Sequence, residues 1–247
     1  MSEAIGTTQG NDNFYLELQR MSMEFSSGGS PPEPSRVVAV AGKMEDSFNK
    51  YKDMISRLSL SQDFQALEYY ALTVSNLKRE NMVLSDIEDS VQWQINSMKA
   101  FATGQSPPMP NAKTVEMMQK KSGGSMSSPP TIVSTPFTGQ EACFEDSTIR
   151  QTFLTLQSDH ENLIRMGSGY GSFDPLGKLA YLDQMEKIEE RWALLMTKLD
   201  LGQHISREFK DETSAFLGGM NLSVREFFEL LETSKDWLRE RANEGRL

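Results

Sequence analysis

The sequence predicts an all-α protein of long antiparallel helices, in coiled-coil-like hairpins or bundles separated by disordered linkers. The first observation is that apolar residues recur at alternating spacings of three and four along residues 44–102 and 138–247, which is the spacing of a helix with one apolar face. The second is that no stretch of any length alternates apolar and polar residues as a strand does. The third is that proline and glycine are concentrated in a few segments, which marks these as linkers.

Residues 1–43 are predicted to be mostly disordered because small and polar residues, proline and glycine dominate them. The exception is a short amphipathic segment at 14–25, whose apolar residues share one helical face. Docking on protein is our interpretation of this segment. Docking in a membrane interface is the alternative, which Arg20 as its single basic residue weakens. Residues 37–41 form an apolar run that is too short to predict a strand.

Residues 44–102 are predicted to form one long helix or a helical hairpin. The apolar spacing starts at Met44, weakens at 61–63, and then continues from Leu67 to Met98. Two polar residues, Asn81 and Glu88, interrupt this second seam. A polar residue in a seam can fix helix register or oligomeric state, and the alternative is a locally solvated groove. The sequence does not decide between the two.

Residues 103–137 are predicted to be a disordered linker, since proline, glycine and serine dominate and only 115–118 could form a helical turn. Ser/Thr-Pro pairs in the linkers are candidate phosphorylation sites, at Ser30, Ser106, Ser128 and Thr135. A phosphate there would add negative charge and could create an arginine-binding site. The alternative is that such pairs are simply what a serine- and proline-rich linker contains.

Residues 138–247 are predicted to form a three-helix-type bundle. A first helix at 140–166 ends in a glycine-rich turn, and a second begins at Asp174-Pro175, where aspartate can cap the first amides and proline tolerates the first turn. A third helix covers 221–244. Trp192 and Trp237 are interpreted as core or helix-interface anchors rather than exposed binding residues.

The apolar seams of these helices are the candidate interaction surface, because a long seam can pack against helices of another protein or of a second copy. The seam residues that we expect to carry binding are Leu77, Leu84, Val91, Ile95, Met185, Ile188, Trp192, Leu195, Leu199, Phe227, Leu231 and Trp237.

The amino-acid composition argues against several classes of function. The net charge of −10 argues against a nucleic-acid binder, because the chain would repel phosphate. A single cysteine, Cys143, excludes an intramolecular disulfide framework and a cysteine-based zinc site. The N-terminus does not resemble a signal peptide, and the apolar runs are far shorter than a membrane span. We therefore expect a cytoplasmic protein.

No motif in the sequence predicts catalysis, a metal or a cofactor. The glycine-rich stretch 167–171 follows a helix rather than a strand, and Gly177-Lys178 is followed by Leu179 instead of the Ser or Thr of a phosphate loop, so we interpret it as a helix–helix turn. His160 and His204 are isolated, which gives no metal-ligand spacing. Nothing positive supports a dyad of Cys143 with His160. The expectation is a non-enzymatic protein.

Two families resemble parts of the C-terminal half. The segment that carries Arg191, Trp192 and Leu195 in an RWxxL pattern resembles the third helix of a spectrin repeat, and residues 227–241 resemble the first helix of a following repeat. That resemblance implies helical repeats in a cytoskeletal protein. Residues 169–192 are also similar to the glycine-containing joint and following helix of BAR-domain proteins. That resemblance implies a dimer that binds or remodels membranes.

The function hypothesis is a helical scaffold or adaptor subunit of a cytoplasmic complex, cytoskeletal or trafficking, which binds other helical proteins and also itself through apolar seams. The alternative is a BAR-like membrane-binding dimer. Membrane association is not favoured, because no lysine- and arginine-rich face can be assembled from the sequence.

Overall fold

A computed structural model describes Arg20 and residues 32–121, 132–137 and 141–244. All regular secondary structure in these ranges is helical, which confirms the all-α prediction. The helices are α1 (Pro34–Ser59), α2 (Phe64–Arg79), α3 (Leu84–Ala102), α4 (Ala112–Lys121), α5 (Ser147–Gly167), α6 (Pro175–Leu201), α7 (Arg207–Gly219) and α8 (Val224–Glu244). Two short 3-10 turns lie at Ala142–Glu145 and Tyr170–Ser172. None of the helices within these ranges is long and apolar enough to cross a membrane.

The chain folds into two compact units that do not follow the predicted domains. The first unit comprises Met1–Arg57 and Asn81–Ser125, and the second comprises Leu58–Glu80 and Met126–Leu247. Helix α2 therefore belongs with the C-terminal helices, although the apolar spacing predicts it as part of a block at 44–102. Periodicity reports that a segment is helical, but it does not report which core the helix joins.

Two turns end the helices within 44–102. Before α2, the Asp63 side chain accepts a hydrogen bond from the Ala66 amide at 3.1 Å, which caps the helix. After α2, Asn81 has a φ of 57°, a left-handed conformation that terminates helices. The Asp86 side chain then accepts from the Val83 amide at 2.9 Å at the start of α3. Asn81 is thus a turn residue. It neither fixes the register of a helix seam nor lines a solvated groove in one.

In the first unit, α1 and α3 lie antiparallel. Lys52 and Glu88 form an ion pair at 2.7 Å near one end, and Glu45 and Lys99 form another at 2.7 Å further along. Glu88 is therefore a surface ion-pair residue. Helix α1 begins at Pro34, so residues 37–41 are helical, and Val40 there is fully buried.

Part of the expected linker is structured. Helix α4 lies within 103–137 and packs on α3, which corrects the prediction that this range is disordered. Asn111 caps α4 by accepting from the Thr114 amide at 2.7 Å and also donates to Asp89 of α3 at 3.2 Å. The Trp93 indole donates to the Pro108 carbonyl at 2.7 Å. Composition missed α4 because contacts to α3 stabilise a helix too short to form alone.

The second unit is a bundle of five helices rather than the three-helix-type bundle predicted for 138–247. Helix α2 packs against α8 and α5, and α6 packs against α5 and α8. Helices α2 and α8 are antiparallel, because Arg79 lies 3.8 Å from Glu226 while Arg241 donates to the Ser59 carbonyl at 3.0 Å. The core gathers buried residues of α2, α5, α6 and α8 around Phe64, Leu156, Leu182 and Leu238.

Candidate functional site

The apolar seam of α6 lies inside the second unit. Met185, Ile188, Leu195 and Leu199 are between 1% and 6% exposed and belong to the core cluster. Because these side chains pack on other helices of the same chain, they hold the bundle together and are not open to a partner. Burial of side chains of this size contributes about 1.5–3 kcal/mol each.

Trp192 and His160 come together at the α5–α6 contact. The Trp192 indole donates to Nδ1 of His160 at 3.2 Å, and its ring meets the Phe153 ring edge-on at 5.9 Å between centroids. Trp192 is half-buried and packs on the core. Cys143 is buried near the start of α5, where burial raises the pKa of its thiol, and a raised pKa makes a thiol a poor nucleophile.

The seam of α8 is also engaged within the second unit. Trp237 packs on Tyr70 of α2 at 5.6 Å between ring centroids and lies under the Arg241 guanidinium. Phe227 packs on a second, smaller cluster around Leu217 and Leu230. Two further seam residues, Leu231 of α8 and Leu77 of α2, are half-buried.

The apolar residues of the α3 seam differ in their solvent exposure. Ile95 is fully buried, while Leu84 and Val91 are half-buried. Val83, which precedes the helix, and Phe101 near its end are 58% and 48% exposed. The predicted seam of the first unit therefore does not form one continuous open face.

An apolar surface that the sequence prediction missed lies on α4 and the residues before it. We call it the α4 surface and define it as Met109, Val115 and Met118, which are 94%, 37% and 44% exposed. The adjoining face of α4 is buried through Thr114 and Met117, at 1% and 8% exposure. The apolar run at 115–118, preceded by a capping asparagine, was the signal in the sequence that could have revealed it.

A cluster of charged groups around the buried Lys235 lies where α2, α6 and α8 meet. Lys235 of α8 is 3% exposed and donates hydrogen bonds to Glu189 of α6 and to Glu232. Burial opposes the charge of Lys235, but these carboxylates outweigh it and raise its pKa. Glu68 of α2 lies close by, and burial, followed by repulsion from Glu189, raises its pKa to about 7 against the attraction of Lys235.

The candidate phosphorylation sites lie in different parts of the chain. Ser106 is exposed after α3, and Thr135 is exposed in the segment 132–137. Ser30 and Ser128 lie outside the described residues, as does the amphipathic segment 14–25 apart from Arg20. Within the described ranges, no group of three or more His, Cys, Asp or Glu side chains could hold a metal ion.

Comparison with known proteins gives one match. Residues 141–241 match the model of a family described as a domain of unknown function (DUF1825). The match covers α5, α6, α7 and most of α8, and α1–α4 lie outside it. No curated protein and no solved structure matches the chain.

Proposed function

We propose that this chain is a non-enzymatic helical adaptor of a cytoplasmic complex, cytoskeletal or trafficking, which binds other helical proteins through the α4 surface. The observation that carries the proposal is that α4 keeps exposed apolar side chains beside its buried face. One face packs through Thr114 and Met117, while Val115 and Met118 remain exposed beside it. Exposed apolar side chains on a short helix suit packing into the groove of a helical partner.

The position of the seams supports this choice of surface. The seams of α6 and α8 pack within the second unit, so a partner could reach them only by opening the bundle. The α4 surface is accessible without any rearrangement, and two of its three residues are methionines. Methionine is flexible and polarizable, and it is common at adaptable binding surfaces.

The expected affinity is modest. Burying Val115 and Met118 completely would contribute about 1.5–3 kcal/mol each. Association costs about 4–15 kcal/mol in lost translational and rotational freedom. Met109, which is 94% exposed, and neighbouring polar contacts must therefore add to the interface for a stable complex.

The test is affinity purification of the tagged full chain from cells at near-physiological salt, with bound proteins identified by mass spectrometry. We expect helical proteins in stoichiometric amounts with the wild type and their loss with Val115→Glu/Met118→Glu. The matched control is Leu194→Glu/Leu201→Glu, which changes two leucines of α6 that are 73% and 82% exposed. The control should retain the partners, and circular dichroism should show that both variants fold.

Recovery of the chain alone would contradict the adaptor proposal and would make binding to anionic liposomes the next function to measure. Equal loss of partners in both double variants would contradict the assignment to the α4 surface, because the added charge alone would then explain the loss.

A further inference from the structure

The second unit contains a cavity of about 240 Å³ at one end of the bundle. Five segments surround it: residues 59–62 from the end of α1 onward, Leu67 of α2, the Tyr170–Ser172 turn, the first turns of α6 and the end of α8. The charged side chains that line it are Lys178 and Arg241, and no carboxylate is among the lining residues. A cationic cavity is unexpected in a chain with a net charge of −10.

Neither cation of the cavity has an acidic partner in the described part of the chain. Lys178 is half-buried and forms no ion pair or hydrogen bond through its side chain there. Arg241 donates to the Ser59 carbonyl at 3.0 Å and lies 5.2 Å over the Trp237 ring. These contacts hold the guanidinium in place without neutralising it.

Two neighbouring cations of α8 are neutralised. Lys235 binds Glu189, and Arg239, on the same helix as Arg241, donates to Glu186 at 2.8 Å. Two cations of α8 are thus paired with α6 carboxylates, while Arg241 remains unneutralised at the cavity. A counter-charge supplied by a ligand would complete the pattern.

A third group in the cavity lacks a partner. Tyr170 is 3% exposed and lines the cavity, and its hydroxyl has no hydrogen-bond partner among the described residues. The hydroxyl oxygen is not one of the buried side-chain oxygens that lack a partner, so it is open to the cavity and can meet a ligand there. Burial raises the pKa of Tyr170 to about 12, against the lowering effect of the Arg241 charge. The hydroxyl therefore stays protonated at neutral pH and can donate a hydrogen bond.

The walls of the cavity are tied together by the backbone. The Gly171 amide donates to the Gln62 carbonyl at 2.8 Å, which joins the 3-10 turn to the segment between α1 and α2. A Cβ at position 171 would lie 2.8 Å from the Gln62 Cα, so this close approach requires glycine. Since the Gly171 amide is already occupied, side chains rather than this amide would hold an anion here.

We propose that the cavity binds a small organic anion whose phosphate or carboxylate head group is held by Lys178, Arg241 and Tyr170. Two cations and a neutral hydroxyl donor complement a head group of one to two negative charges. The cavity is smaller than the sites that hold drug-sized ligands, so the ligand is a small metabolite-sized molecule. Its apolar part would contact Leu67 and Leu238, which also line the cavity.

Isothermal titration calorimetry of the purified full chain tests this inference, with inorganic phosphate and succinate as probes against sodium chloride at equal ionic strength. We expect saturable binding of at least one probe. Lys178→Met should weaken binding about tenfold or more, and Tyr170→Phe should weaken it about threefold to tenfold. Lys187→Met is the matched control, because it removes an exposed lysine of the same helix outside the cavity, and it should change affinity by less than about twofold.

If phosphate binds more strongly than succinate, the natural ligand carries a phosphate head group. If succinate binds more strongly, the head group is a carboxylate. Absence of saturable binding for both probes would overturn the proposal. So would equal weakening by Lys178→Met and Lys187→Met, since that result would reflect general charge screening. Tyr170→Phe removes one oxygen and no charge, so its effect separates a built site from electrostatics alone.

Discussion

Lys235 of α8 and Glu189 of α6 form an ion pair in the second unit in which the lysine is buried and the glutamate is partly exposed. The lysine side chain is 4% exposed and the glutamate side chain 36% exposed, so the pair is shielded from water mainly on the side of α8. Glu232 shares the same ammonium at 3.1 Å. Burying an ion pair does not by itself add stability, but removing one partner leaves a charge without compensation.

Lys235→Met should destabilise the protein by about 1–3 kcal/mol, because Glu189, whose side chain is 36% exposed, would lose its partner but keep contact with water. The double variant Lys235→Met/Glu189→Met should be less destabilised than the single variant, since it removes both charges. Urea unfolding, monitored by circular dichroism, measures the free energy of unfolding of both variants. Lys187→Met, on the exposed face of α6, should change stability by less than about 0.5 kcal/mol. Equal losses for Lys235→Met and its double variant would show that packing rather than charge explains the effect.

Glu68 should make stability decrease as the pH rises. Burial raises the pKa of its carboxyl from 4.5 to about 7 in the folded state, so the folded state binds a proton more tightly than the unfolded state. The stabilising contribution is complete below about pH 4.5 and is lost progressively up to about pH 7, amounting to at most about 3 kcal/mol.

The measurement for Glu68 is the difference in unfolding free energy between wild type and Glu68→Gln from pH 4.5 to 8. Gln cannot ionise, so the variant should gain stability relative to wild type as the pH increases. Glu190→Gln, at an exposed position of α6, should show no such trend. A difference for Glu68→Gln that is constant with pH would mean that the carboxyl is ionised throughout.

Gly167 lies at the end of α5 where the Tyr181 ring crosses it. A Cβ there would lie 3.0 Å from Cζ of Tyr181 and 3.1 Å from Cβ of Phe64. Gly167→Ala should therefore destabilise the protein by about 1–3 kcal/mol through overpacking. Gly218→Ala in α7 is the control, because no atom lies within 4 Å of its added Cβ.

The alanine at position 218 should be neutral or stabilising by up to about 1 kcal/mol, since alanine favours helix more than glycine does. Thermal unfolding compares the two variants directly. If Gly218→Ala lowered the stability as much as Gly167→Ala, close packing against Tyr181 would not be the explanation.

Asn111→Ala should loosen α4 and weaken partner binding. The Asn111 side chain caps the helix and also donates to Asp89, and loss of a cap costs about 0.5–2 kcal/mol. Hydrogen exchange of the α4 amides should become faster, and partner recovery in the affinity purification should fall. Asp146→Ala removes the cap of α5, so it should affect the second unit without changing α4 exchange.

Much of the local structure could be predicted because it depends on neighbours in sequence. The start of α6 after Asp174 was predicted from Asp-Pro, and the Asp174 side chain caps the Gly177 amide at 2.6 Å. Residues such as Met185 and Leu199 lie in the core because the 3.6-residue period places them on one face. The all-α class follows from the same pattern.

The candidate sites could be predicted only in part. The seam residues are predicted from periodicity to bind a partner, yet residues such as Met185 and Leu195 pack in the core of the same chain, because periodicity does not report which chain the packing partner belongs to. Helix α4 was missed because proline and serine surround it, and its stability depends on contacts to Asp89 and Trp93. The cavity was not predicted at all, because Lys178 and Arg241 are far apart in sequence and meet only when α6 and α8 pack.

Sequence pattern alone was sufficient to establish helices, their caps and the apolar face of α6, since each depends on residues within one or two turns. Tertiary structure decided that α2 leaves the 44–102 block and completes the bundle beside α8. The physical reason lies in the turns: Asp63 caps the start of α2, and Asn81, with its left-handed φ, follows its end. Phe64 and the other apolar residues of α2 pack into the core of the second unit. Long-range packing of this kind leaves no periodic signal in the sequence.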